Sequence, residues 1–333
     1  MRANNRFALL HGGFIALTLL LALTSLGLGQ YRLSINEVAS QLLAFPGNGA
    51  AGQIVWSVRL PRILLALLAG GALGLCGAVL QGVFQNPLVD PHIIGVTSGS
   101  AFGGTLAILL GFSPLLLMTS TFGFGLGALV LVWLIAALQR RENTLMLILS
   151  GIIISGFFAA LVSLMQYMAD TDETLPNIVF WLLGSFATAN WHKVLMLCIP
   201  VGIVSAMLLM LRWRINLLAL DEKDALALGV PLKRLRRCVL VGCAILVSSQ
   251  VAVSGSIAWI GLVIPHLARL LVGADHRRLL PVAFWLGASF MLLVDDLART
   301  LTQAEIPLGI ITALLGAPVF AALLIHNNRR RWQ

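Results

Sequence analysis

Residues 58–82 read VRLPRILLALLAGGALGLCGAVLQG and decide the fold class of this 333-residue chain. After Arg62, the stretch 63–80 carries no charged side chain, and a helix needs about 20 apolar residues to cross a bilayer. The apolar residues are continuous and do not alternate with polar ones, which favours a helix over a strand of a closed barrel. We therefore predict a membrane-spanning helix over residues 58–82.

Similar apolar runs recur along the chain and dominate its composition. Apolar residues make up 59% of the sequence, charged residues make up 11%, and the mean hydropathy is +0.95. An average soluble domain has about 25% charged residues, and a soluble protein of this size has too little interior to hide so much apolar surface. The composition therefore predicts an all-α membrane protein and argues against a water-soluble enzyme.

The apolar runs predict about ten transmembrane helices in a single transmembrane domain that covers residues 1–333. The first run is too long for a cleavable signal peptide and lacks a small-residue cleavage site, so we expect it to be a helix of the domain. The predicted spans are 7–29, 58–82, 94–111, 114–138, 144–168, 191–211, 235–253, 257–272, 279–298 and 307–326.

The positions of Lys and Arg predict the orientation of the helices, because basic residues are retained in cytoplasmic loops. With both termini in the cytoplasm, 17 of the 22 Lys and Arg residues fall on that side. The loop 85–92 has neither, and its cytoplasmic placement follows from alternation alone. The net charge of +9 is thus explained by the basic cytoplasmic loops of a protein in a lipid bilayer, and we expect no nucleic-acid partner.

The sequence lacks the usual signs of a metal, cofactor or nucleotide site. The cysteines show no paired spacing and look like packing residues. No phosphate-binding GxxxxGK[ST] loop occurs, so we expect no ATPase site, no enzymatic activity and no cofactor in this chain. The four cysteines are Cys76, Cys198, Cys238 and Cys243.

Ionisable residues are nearly absent from the predicted spans. His266 follows Pro265 near a membrane edge, where a buried, hydrogen-bonded histidine is favoured over a proton relay. An ion-coupled secondary transporter normally needs a carboxylate or histidine at mid-membrane. The scarcity of such groups indicates an external energy source. A secondary transporter and a receptor or structural membrane protein remain as alternatives.

Small residues spaced four apart mark two of the predicted spans. They form a smooth helix face that allows another helix to approach closely. We interpret both patterns as tight helix packing, and a translocation path along the same faces stays open. The second span carries Gly70, Gly74, Ala78 and Gly82, and the third carries Gly95, Gly99 and Gly103.

The largest predicted cytoplasmic loop, at about 212–237, contains the sequence LALDEKDALALGV at residues 218–230. Asp221 is a good N-cap, and acidic residues at the next positions suit the positive end of a helix dipole. Gly229 favours the end of a helix, and Pro231 prevents its continuation. We predict a helix of about two turns, whose Leu226 and Leu228 pack either on the transmembrane helices or in the groove of a partner.

Two arginines, Arg59 and Arg62, lie where the second predicted span begins, and Pro61 between them suits a first helical turn. Cations are unfavourable at a helix N-terminus because the macrodipole is positive there. The two arginines are therefore either snorkelling anchors or binders of an external anion or carboxylate. Arg299 lies four residues after Asp295, and the two can pair within one helix.

Four segments together resemble the FecCD-type ABC transporter permease family, which includes iron–siderophore, haem and vitamin B12 import permeases of bacteria. The resemblance runs from residue 59 to the C-terminus, whereas the N-terminal span shares with the family only its apolar character. The segments are RLPRILLALLAGGALGLCGAVLQGVFQNPLVDPHIIGVTSGSAFG (59–103), LALDEKDALALGV (218–230), GSIAWIGLVIPHLARLLVGADHRRLLP (255–281) and IPLGIITALLGAPVF (306–320).

The resemblance implies the type II ABC importer permease architecture of ten transmembrane helices in the bacterial inner membrane. It implies three kinds of protein partner: a second permease subunit in a homodimer or heterodimer, cytoplasmic ATPase subunits and a periplasmic substrate-binding protein. The cargo implied first is an iron(III)–siderophore, and haem, cobalamin and molybdate are the alternatives.

The resemblance also implies roles for individual residues. Arg59, Arg62 and Arg299 match outer arginines that pair with acidic residues of the binding protein. At the second gate position this sequence has Glu142-Asn143-Thr144-Leu145 and not a Ser/Thr cluster. The residues implied at the cytoplasmic gate are Asn86, Pro87, Leu88, Asn143 and Thr144. Those implied in ATPase coupling are Asp221, Glu222, Asp224, Ala225, Leu226, Leu228 and Gly229.

Overall fold

The computed structural model describes residues 2–29, 31, 33–44, 49–138, 144–218 and 231–331, and within these ranges the regular structure is helical. A π-helical turn, Ile54–Arg59, joins α3 to α4, and a 3-10 turn, Pro91–Ile94, precedes α5. The α-helices are α1 (Arg2–Gly27), α2 (Ile35–Leu43), α3 (Gly49–Gln53), α4 (Leu60–Val83), α5 (Val96–Leu109), α6 (Pro114–Leu138), α7 (Thr144–Met168), α8 (Thr174–Leu182), α9 (Trp191–Leu217), α10 (Leu232–Ser254), α11 (Ile260–Val272), α12 (His276–Thr300) and α13 (Leu308–Arg331).

Among the described residues, seven helical runs are long and apolar enough to cross a membrane, which confirms the predicted all-α membrane fold. The other three predicted spans coincide with the shorter apolar helices Val96–Leu109, Ile260–Val272 and Leu308–Leu323. A helix of 14 residues is about 21 Å long, less than the ~30 Å thickness of the hydrocarbon core. The total of ten spans therefore stays a prediction.

The helical run that contains the second predicted span begins earlier than the sequence indicates. It extends over Gly49–Val83, a length of 35 residues, whereas the prediction began at residue 58. Pro61 lacks the N–H that would continue the regular hydrogen-bond pattern, and the π-helical turn directly before α4 accommodates this interruption. Arg59 and Arg62 thus lie inside a helical run, and the predicted placement at a bare N-terminus is wrong.

Helices α4 and α12 form the central antiparallel pair, and glycines let their backbones touch. A Cβ atom built on Gly70 would lie 2.3 Å from the Gly287 carbonyl oxygen, and one built on Gly74 would lie 2.5 Å from the Ala283 carbonyl oxygen. No side chain fits in either gap without moving a backbone. Tight helix packing is therefore confirmed for these two positions of the second span.

The glycines of the third predicted span serve two different purposes. Gly99 and Gly103 pack α5 on α6, since a Cβ atom on them would lie 2.7 Å from the Phe124 carbonyl oxygen and 2.6 Å from the Ser120 carbonyl oxygen, respectively. Gly95 instead forms the turn into α5 with φ of 78°, a left-handed conformation that favours glycine.

Helix α1 is the most peripheral of the long apolar helices. Only 6% of its most apolar 18-residue stretch is buried, whereas 83% of the corresponding stretch is buried in the run that contains α4. Buried polar contacts attach α1 to α12. The hydroxyls of Thr18 and Ser289 are 2.7 Å apart, and Ser25 Oγ donates to Asp296 Oδ1 at 2.6 Å. The second contact belongs to a larger group of charged residues at the end of α1.

Candidate functional site

The α4–α12 pair has two polar ends, separated by the 24 residues of α4, or about 36 Å. At the arginine end, α4 begins and α12 finishes, and Arg62 meets Asp295. At the amide end, α4 finishes and α12 begins, and Gly82 lies against the ring of His276. The candidate functional residues predicted from the sequence divide between these two ends.

Arg62 is the centre of the arginine end. Its Nε donates to both carboxylate oxygens of Asp295 at 3.0 Å, and its Nη1 donates to Glu305 Oε1 at 2.6 Å. Arg62 is 6% exposed and Asp295 is 0% exposed. A fork-shaped guanidinium matches a carboxylate well, and loss of one partner would leave the other charge buried and unpaired.

Arg59 and Arg299 bind the carbonyl groups at the end of α1. Arg299 donates to Leu28 O at 2.7 Å and to Ser25 O at 2.8 Å, and Arg59 donates to Leu26 O and Tyr31 O. The last carbonyls of a helix have no partner within the helix and carry the negative end of its dipole. The two guanidinium groups supply these carbonyls with hydrogen-bond donors and with positive charge.

The three predicted docking arginines therefore have internal partners. Arg299 also pairs with Asp296 and lies 3.7 Å from Asp295, which is the pairing within one helix that the sequence left open. Arg59, Arg62 and Arg299 are 4%, 6% and 6% exposed, so they neither snorkel outward nor present a free charge. A carboxylate of a binding protein would have to replace an internal partner, and docking through these arginines stays a prediction.

A cavity of about 1150 Å³ opens beside Arg299. It lies between the end of α1 and the residues that follow α12, and Thr24, Leu28 and Thr302 are among its lining residues. Of the buried charged residues at the arginine end, Arg299 thus lines a wide depression.

The amide end contains the predicted gate loop, Asn86–Leu88. The N–H groups of Gln85 and Asn86 bond to the carbonyls of Gly82 and Gln81 at 3.3 and 3.2 Å, which closes the end of α4 in a Schellman arrangement. The side chain of Asn86 then accepts from Leu88 N at 2.9 Å and holds the loop in a tight turn. Leu88 is half exposed and Pro87 is exposed.

Of the second predicted gate position, Thr144 begins α7, and Asn143 lies outside the described residues. Helix α7 touches the segment after the gate loop at two later positions. A Cβ atom on Gly151 would lie 2.1 Å from Ile93 O, and Ser155 Oγ donates to His92 O at 3.3 Å. These contacts lie about two to three turns beyond Thr144, and the gate role of Asn143 and Thr144 stays a prediction.

Sequence reasoning missed the other polar residues of the amide end. Arg269 donates to Gln81 Oε1, and Gln81 Nε2 donates to Val89 O at 3.2 Å. A cavity of about 370 Å³ is lined here by Gln81, Gln85, Asn86, Asn216, Arg269 and His276, among others. The sequence did contain a signal for this polar site, because Gln81 and Gln85 lie four residues apart at the end of an otherwise apolar helix.

A network around Asn216 joins the end of α9 to the start of α12. Asn216 Oδ1 accepts from His276 N at 2.9 Å and contacts His276 Nδ1 at 2.7 Å, and Asn216 Nδ2 donates to Asp275 Oδ1 at 2.7 Å. Burial by itself would raise the pKa of Asp275. Hydrogen bonds from Arg277 N and Asn216, together with the nearby positive charges, lower that pKa below its ordinary value. Asp275 is therefore ionised at neutral pH.

The predicted ATPase-coupling residues, Asp221 to Gly229, lie outside the described residues. The structure describes both flanks of that segment. Helix α9 ends at Leu217, the next residue Leu218 is buried, and α10 begins at Leu232.

His266 lies in α11 and is 8% exposed, which confirms that it is buried. Its ring meets the ring of Phe320 edge-on, with the centroids 6.1 Å apart. Within the described part of the chain its Nδ1 has no hydrogen-bond partner, so the predicted hydrogen bond is not found at that nitrogen.

The chain is similar to known transport proteins over nearly its whole length. A model of the FecCD transport family matches residues 17–326. The molybdate import system permease protein MolB of Haemophilus influenzae is 56% identical over 94% of this chain and 95% of its own length. The hemin transport system permease protein HmuU of Yersinia pestis is 39% identical over 97% of both chains. The vitamin B12 import system permease protein BtuC of Klebsiella pneumoniae is 38% identical over 94% of this chain and 93% of its own.

The fold also matches a solved structure. That structure shows an inward-facing conformation of a metal-chelate type ABC transporter, with a TM-score of 0.88 and 54% sequence identity over 95% of this chain and 99% of the other. The relatives are transport permeases and not ATPases, so this chain is a multi-pass ABC importer permease of the metal-chelate type. The chain belongs to the FecCD transport family.

Proposed function

We propose that this permease carries an oxyanion of the molybdate type, delivered by a binding protein and driven by partner ATPases. The supporting observation is the 56% identity to a molybdate permease over 94% of this chain, against 39% and 38% for the hemin and vitamin B12 permeases. The iron(III)–siderophore predicted first from the sequence becomes the second candidate. It is supported by the metal-chelate type transporter that shares 54% of the sequence.

We propose that ten helices cross the membrane, with α5, α11 and α13 as the short spans and both termini in the cytoplasm. The support is the charge distribution, which then places 17 of the 22 Lys and Arg residues inside. This orientation puts the arginine end outside and the amide end in the cytoplasm. The membrane would be the bacterial inner membrane.

In the proposed transport cycle, the loaded binding protein docks at the arginine end. ATP binding then closes two cytoplasmic ATPase subunits, which move the predicted coupling residues Asp221–Gly229 of two permease subunits, in a homodimer or a heterodimer. The gate loop Asn86–Leu88 opens and the cargo passes inward. The scarcity of ionisable side chains in the long apolar helices supports a path that is not specific for its cargo, so that the binding protein selects it.

The arginine end is proposed to shape the docking surface. Arg299 and Thr302 line the wide cavity there, and Arg59 fixes the end of α1 beside it. Arg59→Glu should weaken docking of the binding protein, because a carboxylate would repel the carbonyls of Leu26 and Tyr31. Surface plasmon resonance on a variant shown to be folded measures this, and an unchanged affinity would refute the docking role.

The cargo and the energy source are tested together in proteoliposomes. The permease is reconstituted with its ATPase subunits and with the binding protein encoded beside its gene. We expect ATP-dependent uptake of radioactive molybdate that exceeds uptake of a ferric siderophore at least tenfold. The reverse preference would favour the second candidate, and uptake without the ATPase subunits would refute the importer mechanism.

The control for an ion-coupled transporter uses the same vesicles. A protonophore and the substitution His266→Ala should leave ATP-dependent uptake intact. Loss of uptake in both cases would favour a secondary transporter, for which α11 offers His266 as a buried titratable side chain.

A further inference from the structure

Gln85 has an unusual backbone conformation. Among the described residues, only Gln85 (φ 50°) and Trp259 (φ 73°) are non-glycine residues with a positive φ. Gln85 occupies the position after the helix end in the Schellman arrangement that closes α4, where glycine is normally found because it has no Cβ atom to strain. A strained residue beside the predicted gate loop points to a role for its side chain.

The side chain of Gln85 reaches the end of another helix. Its Nε2 donates to the carbonyl of Leu218 at 3.0 Å. Leu218 follows α9, and its carbonyl belongs to the group at a helix end that has no partner within the helix. Glycine at position 85 would relax the backbone but would leave this carbonyl without the bond from Gln85.

The end of α9 is also held from a second side. Asn216, two residues before Leu218, bonds to His276 and Asp275 at the start of α12. The end of α9 is therefore fixed to α12 through Asn216 and to the gate loop through Gln85. The predicted coupling segment, Asp221–Gly229, begins three positions after Leu218 in the sequence.

We propose that Gln85 is a positioning residue that transmits movement of the coupling segment to the gate loop. A displacement of Leu218 pulls on the Gln85 side chain, and Gln85 precedes Asn86 in the same tight turn. Because Asn86 holds Leu88 N through its side chain, the turn moves as a unit. This inference rests on the proposed function, in which ATPase subunits move the coupling segment Asp221–Gly229.

A purely structural role makes a different prediction. If the Gln85–Leu218 bond only stabilised the end of α9, its loss would lower the unfolding temperature and leave the number of cargo molecules imported per ATP unchanged. If the bond transmits movement, its loss would lower that ratio even in a protein that is fully stable. The substitution Gln85→Gly distinguishes the structural role from the transmitting role. It removes the backbone strain, which offsets the stability lost with the bond, and it also removes the side chain that would transmit movement.

The experiment compares wild type and Gln85→Gly as full complexes in proteoliposomes. Uptake, ATP hydrolysis and the unfolding temperature are measured on the same preparations. We expect Gln85→Gly to keep the unfolding temperature and the ATPase rate of wild type and to import roughly two- to tenfold less cargo per ATP, as the loss of one neutral hydrogen bond allows. An unchanged ratio would overturn the proposal.

Two further variants identify the bond as the cause. Gln85→Asn tolerates a positive φ and keeps an amide, but it is one methylene too short for the Leu218 carbonyl. Gln85→Glu has nearly the same shape, and its carboxylate cannot donate. Both should lower the ratio as Gln85→Gly does, and a wild-type ratio in Gln85→Glu would contradict the proposal. Failure of the wild-type complex to import with ATP would instead refute the proposed function.

Discussion

The arginine end and the amide end close opposite ends of the same helix pair with different chemistry. At the arginine end, Arg62 and Asp295 are buried and joined by charged hydrogen bonds of 2.9–3.0 Å. At the amide end, hydrogen bonds of Gln85 and Asn216 join the helices, and the gate loop is exposed. A buried ion pair resists separation because each partner would be left unpaired, whereas the Gln85–Leu218 hydrogen bond joins two neutral groups and is easily exchanged for bonds to water. The comparison indicates one fixed end and one movable end.

The largest expected effect follows from breaking the fixed end. Arg62→Leu would leave Asp295, which is 0% exposed, without its main partner. We expect a loss of about 3–5 kcal/mol in the free energy of unfolding, visible as a large drop in the unfolding temperature in mild detergent. The double variant Arg62→Leu/Asp295→Leu should recover most of the loss, since it leaves no unpaired charge in that pair. An unchanged unfolding temperature in the single variant would contradict a fixed arginine end.

The next effect concerns the contact that connects the two ends. Gly70→Ala places a Cβ atom 2.3 Å from the Gly287 carbonyl oxygen, so the α4 and α12 backbones must separate. We expect a cost of about 1–3 kcal/mol, measured by thermal unfolding. The matched control is Gly123→Ala in α6, where no heavy atom lies within 4 Å and alanine favours the helix. Equal effects of the two substitutions would show that helix propensity, and not the close approach of the two backbones, determines the change in stability.

A smaller effect is expected from loosening the amide end. Asn216→Ala removes the bonds to His276 and Asp275, which we expect to cost about 1–2 kcal/mol. Hydrogen exchange should accelerate at the first turn of α12 and remain unchanged at the arginine end. The control Asn190→Ala removes the N-cap bond to Lys193 and should loosen only the start of α9. Faster exchange at both ends of α12 would mean that the ends are not independent.

The smallest effect is a pH dependence of the amide end. Because the pKa of Asp275 is lower in the folded chain, its contribution to stability is fully present above its ordinary value of about 3.9 and is lost as the pH falls through the folded pKa. Exchange at the start of α12, expressed relative to the intrinsic chemical exchange rate at each pH, should therefore accelerate below about pH 4. Asp275→Asn keeps a capping side chain without the titration and should remove this acceleration. A variant with the same pH profile as wild type would assign the effect to another group.

The sequence predicted the features that depend on local composition. Continuous apolar runs identified the long helices, and the spacing of Gly70 and Gly74 predicted a close helix contact. The short helices α2 and α8 were not predicted, because neither has enough residues to form a distinct apolar run. The early start of the second long run was missed because glycine, alanine and glutamine at 49–53 lower the apolar signal.

The partners of the site residues were not predictable because they lie far apart in the sequence. Arg62 binds Asp295 and Glu305, which are separated from it by 233 and 243 positions. The sequence therefore presented Arg62 as a free cation, whereas the fold supplies its counter-charges. The positive φ of Gln85 was equally hidden, since a Schellman turn usually carries glycine at that position.

The division into a fixed and a movable end is tested most directly by structures of the full transporter complex with and without a non-hydrolysable ATP analogue. We predict that the hydrogen bonds between Arg62 and Asp295 are kept in both states, while Asn86–Leu88 shifts by several ångströms together with Leu218. An Arg62–Asp295 pair that opens between the two states, with an Asn86–Leu88 loop that does not move, would contradict the account.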